Sequence, residues 1–202
     1  MNAVICYVLL GLALWLLPWG LTVSLETGPA WAIDIEKRSD LIGTKPPEWT
    51  VSSWFNSKPK RLADFKGKAL LVRFWTGPEC PYCTASAPVL NDLYQRYHKE
   101  GLVVIGMYHH KSETPLTAGH VRGLIERYGF KFPVAIDSEW KTLRAWWLDG
   151  RERAWTSVSF LIDREGIIRY IHPGGSYTDE ETQALETKIQ QLLNNLSRAV
   201  HW

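Results

Sequence analysis

Two cysteines, Cys80 and Cys83, stand two residues apart at the end of the segment RFWTGPECPYC, residues 73–83. Thiols at this spacing are suited to thiol–disulfide chemistry, to metal binding or to a structural cross-link. A disulfide that closes so short a loop removes little chain entropy from the unfolded state, so it stabilises a fold only slightly. The spacing therefore favours a redox pair over a structural disulfide.

The third and last cysteine of the 202-residue chain, Cys6, lies in an apolar N-terminal segment. No residue from Ala3 to Val23 is charged, and residues 30–32, Ala-Trp-Ala, fit the small-residue pattern at which signal peptides are cleaved. Residues 1–32 are thus predicted to be a signal peptide or an uncleaved membrane anchor, since about 20 apolar residues can span a bilayer. Either one exports the rest of the chain, to the periplasm or to the non-cytoplasmic side of a membrane, where disulfides persist.

The composition is that of one globular domain behind this leader. Apolar residues make up 46% of the chain, and 23 basic residues against 21 acidic ones give a net charge of +2. No run of like charge is present, so the sequence offers no argument for nucleic acid as a partner. Residues 33–45 are predicted to be a linker and residues 46–198 the folded domain.

Strand-like and helix-like segments alternate along that domain. KALLVRFW (68–75) and LVVIGMY (102–108) are apolar runs typical of buried parallel strands, and a helical pattern follows the first of them. VSFLID and GIIRYIH predict a hairpin, which precedes a closing helix. WTVSSWF and KRLADF predict a second hairpin at the N-terminus of the domain. The order indicates an α/β fold with a central mixed sheet flanked by helices, and it puts the cysteines at the carboxyl end of a strand.

The start of a helix favours thiolate chemistry at Cys80. Free N–H groups and the positive end of the helix dipole stabilise a thiolate there, and Pro81 suits a first helical turn because it has no N–H to leave unpaired. Cys83 lies three residues on, on the same helix face, so the pair can form a Cys80–Cys83 disulfide and part again as a dithiol. We expect Cys80 to be the exposed, attacking sulfur and Cys83 the deeper, resolving one.

The segments ALLVRFW, CPYCTASAPVL with Pro88 five residues after Cys83, GLVVIGMY and SFLIDREGIIRYIHPGGSY together resemble the exported thioredoxin-like TlpA group. The resemblance covers about residues 45–195 and is close to the C-terminal domains of DipZ-type proteins. It implies a thioredoxin fold and a thiol–disulfide oxidoreductase that needs no cofactor. It also implies that the partners are exported protein thiols and disulfides, with a membrane protein as electron donor if the chain acts as a reductase.

The chain departs from the family pattern at three places. Four residues, not three, separate Trp75 from Cys80, and Glu79 stands where the family usually has tryptophan before the first cysteine. A carboxylate at that point should raise the thiol pKa. Arg73 occupies the strand position where thioredoxin has a buried acid; we expect it to point to solvent, although a cation that faced the sulfurs would favour thiolate. Ser157 stands where the family has a cis-proline, so the preceding peptide is predicted to be trans.

Other side chains are weaker candidates. His109 and His110 follow the second buried strand and are expected in a solvated loop, with a metal ligand or proton donor as the alternative. Tyr82, between the cysteines, is expected on the exposed side of the motif, where partners would meet it.

Two other functions are alternatives to disulfide exchange. A copper chaperone of the Sco type shares the fold but spaces its cysteines by three residues. A peroxiredoxin-type peroxidase needs a threonine and an arginine around its cysteine, a pattern that the segment TGPEC reproduces poorly.

Overall fold

The computed structural model of the protein describes residues 40–194, with the exception of residues 152 and 154. A six-stranded mixed sheet runs through the centre of this part of the chain. Its strands are β1 (Ser53–Phe55), β2 (Ala69–Trp75), β3 (Leu102–Tyr108), β4 (Val134–Ile136), β5 (Val158–Ile162) and β6 (Ile168–Pro173). Their spatial order is β1-β4-β3-β2-β5-β6. Strands β2, β3 and β4 are parallel, whereas β1, β5 and β6 each run antiparallel to their neighbours.

Helices cover both faces of the sheet. They are α1 (Pro81–Tyr97), α2 (Ala118–Tyr128), the short α3 (Lys141–Leu143), which continues as a π-helical turn (Arg144–Leu148), and α4 (Asp179–Asn194). Helices α1, α2 and α4 pack on one face, and α3 with its π-helical turn packs on the other. All seven residues of β2 are buried. The predicted mixed sheet flanked by helices is confirmed.

Helix α1 starts at the cysteine motif, directly after Cys80. Pro81 is its first residue, and the backbone N–H of Cys83 donates to the carbonyl of Cys80 at 3.0 Å to close the first turn. Apolar side chains at helical spacing, among them Leu90 and Leu93, anchor it to the sheet. The first turn of α1 is therefore held directly beyond the carboxyl end of β2.

The predicted N-terminal hairpin is wrong. Ser53–Phe55 pairs antiparallel with β4, so that Ser53 lies opposite Ile136, and it completes one edge of the sheet. The second half of the expected hairpin forms a 3-10 turn, Leu62–Phe65, in which the Asp64 carboxylate accepts from the Arg61 N–H at 2.8 Å. An isolated two-stranded hairpin is marginally stable, whereas a strand added to an existing sheet gains a buried neighbour.

Contacts of the domain begin before residue 46, where the linker was predicted to end. Leu41 is buried, and the Gly43 N–H donates to the carbonyl of Ile168 in β6 at 2.8 Å. Residues 41–44 therefore contact the domain, through the buried Leu41 and the backbone hydrogen bonds to β6. The predicted leader, residues 1–32, lies outside the described residues, as do most of the linker and the last residues assigned to the domain. Within the described part of the chain, no helix has the length and apolar character to cross a membrane.

Candidate active site

The two cysteines differ in their access to water. Cys80 precedes the first residue of α1 with an extended backbone and is partly exposed, whereas Cys83 is buried, with 3% of its surface accessible. Both are free thiols in the structure. An outer sulfur within reach of another molecule and an inner sulfur beside it is the arrangement that a two-step disulfide exchange requires.

The buried sulfur of Cys83 lies against a hydroxyl. Ser157 Oγ is 3.0 Å from Cys83 Sγ, and both side chains are buried. Burial raises the pKa of the Cys83 thiol above its ordinary value, and the neighbouring Cys80 adds to that rise. The Ser157 hydrogen bond, the backbone of Thr76 and the positive charge of Arg73 act in the opposite direction on this pKa.

Ser157 is fixed by its backbone. Its carbonyl accepts a hydrogen bond from the Gly174 N–H at 2.8 Å, directly before Val158 opens β5. No peptide bond among the described residues is cis, so the Thr156–Ser157 peptide is trans, as predicted. The backbone carbonyl of Ser157 is thus bonded to Gly174, directly after β6, while its side-chain hydroxyl contacts the sulfur of Cys83.

Arg73 does not point to solvent as expected: it is fully buried. Its guanidinium donates to Ser159 Oγ at 3.1 Å, to the Gly174 carbonyl at 2.8 Å and to the Gly175 carbonyl at 2.5 Å. It also lies 5.3 Å from the centre of the Tyr177 ring. The expectation failed because the segment after β6 folds over this end of β2 and supplies acceptors that sequence patterning does not reveal.

The turn after β6 was missed in the sequence as part of the site, although its glycine pair was a usable signal. Gly175 approaches the start of α1 so closely that a β-carbon on it would lie 2.3 Å from Tyr82 Cβ. Tyr177 hydrogen-bonds to Ser159 and stacks on His172, with ring centres 4.4 Å apart. This turn therefore joins β5, β6 and the cysteine motif.

Glu79 folds back into the loop between β2 and α1. Its carboxylate accepts from the Thr76 hydroxyl at 2.9 Å and from the Gly77 N–H at 3.2 Å. The extra residue relative to the family spacing lies in this loop. The carboxylate thus has partners of its own within the loop that carries Cys80.

A groove of about 290 Å³ opens beside Cys80. Tyr82 and Trp155, which line it, are 56% and 53% exposed. The Trp155 carbonyl accepts from the indole N–H of Trp147 at 2.7 Å, and Lys111 donates to the Thr156 hydroxyl at 3.0 Å across the groove wall. The exposed position expected for Tyr82 is therefore observed, and Trp155 stands beside it.

The remaining candidates lie in the interior or make local bonds. Trp75 is in the core, edge-on to Tyr108 at 5.0 Å, and so takes no part in the groove. His109 is fully buried rather than solvated, has no hydrogen-bond partner for either ring nitrogen, and burial lowers its pKa to about 3. His110 accepts from the Tyr108 hydroxyl at 2.9 Å and donates to the Thr114 carbonyl at 2.6 Å. Among the described residues, no group of three or more histidine, cysteine, aspartate or glutamate side chains is placed to hold a metal ion.

Comparisons with known proteins agree with this geometry. The family model described as Redoxin matches residues 43–189. The thiol-disulfide oxidoreductase ResA of Bacillus thuringiensis is 31% identical over 155 residues, which cover 76% of this chain and 82% of that protein. Protein DipZ of Mycobacterium tuberculosis is 32% identical over 162 residues, covering 78% of this chain but 22% of DipZ, so the chain spans about a fifth of that relative.

A solved thioredoxin-family thiol:disulfide interchange protein from Chlorobium tepidum has the same fold. It superposes with a TM-score of 0.59 at 21% identity, over 75% of this chain and 97% of that one. The likeness to this structure shows the thioredoxin-like fold, and the family model and the ResA relative lead to one conclusion: the chain belongs to the redoxin family.

Proposed function

We propose that the protein exchanges disulfides with exported protein substrates through Cys80 and Cys83. The observation that carries the proposal is the pair itself: a partly exposed sulfur at the start of α1 and a buried sulfur one helical turn deeper. The thiolate of Cys80 is the form that attacks a disulfide.

The exchange needs no cofactor. Cys80 thiolate attacks one sulfur of a client disulfide, forms a mixed disulfide and releases the other client sulfur as a thiolate. Cys83 then attacks Cys80, the bond to the client breaks, and the client leaves reduced while a Cys80–Cys83 disulfide forms. The reverse sequence oxidises a client dithiol. For net reduction, an exported electron donor, such as a membrane dithiol protein, must return two electrons to the pair.

The groove beside Cys80 is the proposed contact surface for the client. Only three large apolar side chains are exposed in the described part of the chain, and two of them, Tyr82 and Trp155, flank this groove. Aromatic side chains bury much area at little entropic cost. We propose that a client segment lies across them with its disulfide over Cys80.

Substitution of each cysteine tests the proposal. In the full chain, Cys80→Ser should abolish the reduction of insulin by dithiothreitol above the uncatalysed rate. Cys83→Ser should instead accumulate mixed disulfides that run as larger species on non-reducing gels, because no resolving thiol remains. Cys6→Ser is the matched control and should retain full activity. Normal turnover by Cys83→Ser would contradict the assigned roles.

Export is proposed from the uncharged, apolar segment that ends in Ala-Trp-Ala at residues 30–32. Mass spectrometry of the protein isolated from its native cells should show either a chain that starts at Ile33 or an intact chain that fractionates with membranes. A full-length chain in the soluble cytosolic fraction would rule out both forms of export.

A further inference from the structure

A hydroxyl group lies at hydrogen-bond distance from the sulfur that must resolve the mixed disulfide. Ser157 Oγ and Cys83 Sγ are 3.0 Å apart, and the exposed fractions of the two residues are 6% and 3%. The Gly174 N–H holds the Ser157 carbonyl at 2.8 Å, which fixes the residue that carries the hydroxyl. The contact is thus a buried, preformed one rather than a surface encounter.

The resolving sulfur needs help to ionise. In a buried site the charged form of a thiol loses the hydration it would have in water, so the thiol form is favoured. Four neighbours act on this sulfur: the Cys80 thiol, the Ser157 hydroxyl, the backbone of Thr76 and the charge of the buried Arg73. Of the two side chains that favour the thiolate, Ser157 is the one whose hydrogen bond reaches the sulfur itself, and Arg73 acts as a nearby charge.

We propose that Ser157 is a further catalytic residue, whose hydroxyl donates a hydrogen bond to Cys83 Sγ as that sulfur becomes the attacking thiolate. The inference rests on the proposed exchange reaction. In the resolving step the bond between Cys83 Sγ and Cys80 Sγ forms, and the bond from Cys80 Sγ to the client sulfur breaks. The electron pair goes to the client sulfur, which also takes the proton that Cys83 gives up. A hydrogen bond to a charged acceptor is stronger than one to a neutral acceptor, so the contact favours the thiolate over the thiol.

The serine also distinguishes this chain from the family pattern described above. A proline ring at residue 157 has no hydroxyl and could not donate to the sulfur. The inference is therefore specific to chains that carry a hydroxyl at this position, and it makes the resolving step, rather than the first attack, the step that Ser157 controls.

Ser157→Thr and Ser157→Val are the test pair, because they have nearly the same shape and differ in the hydroxyl alone. Each is made in the full chain with Cys6→Ser, so that two reactive thiols remain, and is mixed with Ellman's reagent. The first thionitrobenzoate released reports the attack by Cys80, and the second reports resolution by Cys83. At pH 7 we expect the second release to be about tenfold slower in the valine variant than in the threonine variant. The first release should agree within about twofold.

A second measurement does not depend on exchange. With Cys6→Ser and Cys80→Ser, Cys83 is the last thiol in the chain, and its ionisation is followed by thiolate absorbance near 240 nm. The valine variant should ionise at a pH about one unit higher than the threonine variant. If threonine and valine prove too large to fold, Ser157→Ala replaces them. Its control is Ser86→Ala, a buried hydroxyl that donates to the Cys83 carbonyl at 2.8 Å.

The outcomes separate this inference from the proposed function. Equal second releases and equal ionisation in the two variants would overturn the role of Ser157 while leaving disulfide exchange intact. A parent protein that never forms the Cys80–Cys83 disulfide would overturn the proposed function. In that case the absorbance titration still decides whether Ser157 donates to Cys83, and the catalytic role falls with the reaction.

Discussion

The sulfurs of Cys80 and Cys83 have the same covalent chemistry but different surroundings. Cys80 is at the mouth of a groove, where a client disulfide can reach it, and Cys83 is enclosed by Ser157 and by the first turn of α1. In the proposed exchange, accessibility decides which sulfur attacks first, since a buried thiol cannot meet a protein client. In the same proposal, the ionisation of Cys83 decides how fast the second attack follows, and this ionisation depends on the polar groups around the sulfur.

Substitution of Arg73 tests whether the ionisation of Cys83 depends on a nearby charge, because Arg73 is the charged side chain that acts on this thiol. Arg73→Met should raise the pKa of the Cys83 thiol further, because a nearby positive charge that stabilises the thiolate is removed. Arg73→Lys should keep part of the effect, since it retains the charge but not the planar fork of donors. Thiolate absorbance measured against pH in the chain with Cys83 as its last thiol checks both.

The matched control for Arg73 is Arg127→Met, which removes an exposed arginine from α2. It should leave the ionisation of Cys83 unchanged. If the two methionine variants shifted that ionisation equally, the effect would be one of net charge, and Arg73 would have no particular role at the sulfur.

At the scale of elements, the site is a junction of β2, α1 and the turn after β6. Arg73 lies in β2, and the cysteines lie at the start of α1. Residues 174 and 175 supply the carbonyls to which Arg73 donates. The turn and the start of α1 approach each other closely at Gly175 and Tyr82, where a β-carbon on Gly175 would lie 2.3 Å from Tyr82 Cβ. The cysteine motif is thus held from its outer side as well as by the sheet.

Gly175→Ala tests this junction. The added β-carbon would lie 2.3 Å from Tyr82 Cβ and 3.1 Å from the Tyr82 carbonyl carbon, so the turn or the start of α1 must move. We expect the free energy of unfolding to fall by about 1–3 kcal/mol and the exchange rate to fall with it. Urea denaturation and the insulin assay measure the two effects.

Gly123→Ala serves as the control for that substitution. Gly123 lies in α2 with open space around it, so the added methyl group should be neutral or stabilise by up to about 1 kcal/mol. If Gly175→Ala and the unsubstituted protein had the same free energy of unfolding, the turn would be able to move away from Tyr82 without loss of stability.

At the scale of the whole molecule, the sheet separates two apolar cores. The core on the side of α3 holds or contacts most of the tryptophans in the described part of the chain, including Trp146, which is edge-on to Phe74 at 5.8 Å. Asp40, at the start of the described chain, forms ion pairs with Arg151 and Arg153 in the segment that leads to Trp155. The beginning of the described domain therefore contacts the segment that precedes Trp155.

His109 should make the whole fold sensitive to mild acid. Burial lowers its pKa from 6.5 to about 3, so the folded protein keeps it neutral while the unfolded chain takes up a proton below pH 6.5. Folding stability is therefore complete above pH 6.5 and falls as the pH drops towards 3, by up to about 1.4 kcal/mol per pH unit. Urea denaturation between pH 6.5 and pH 4.5 measures the slope.

His109→Leu should flatten that slope, because it removes the group that binds the extra proton in the unfolded chain. Neither ring nitrogen has a hydrogen-bond partner in the described structure, so leucine leaves no new group unsatisfied. His98→Gln, a substitution at an exposed histidine, should keep the slope of the unsubstituted protein. An unchanged slope in His109→Leu would mean that another group carries the acid response.

The sequence alone was sufficient for the features that depend on neighbours along the chain. The two-residue spacing of Cys80 and Cys83, Pro81 at the first helical position and the apolar run before them define a strand, a loop and a helix start. Alternating strands and helices then imply a parallel centre and put the cysteines at its carboxyl edge. The resemblance in these segments pointed to the fold and to the family that the comparisons show.

Only the tertiary structure decided what surrounds the two sulfurs. Ser157 meets Cys83 across 74 residues of chain, and Arg73 meets Gly175 across 102. The expectation of a solvent-directed Arg73, like that of solvated His109 and of an N-terminal hairpin, used local pattern at places where distant segments supply the neighbours. A pattern along the chain reports which face of an element is apolar. The polar groups that contact a given side chain can come from loops that are remote in sequence. Hydrophobic periodicity along the chain does not predict such contacts.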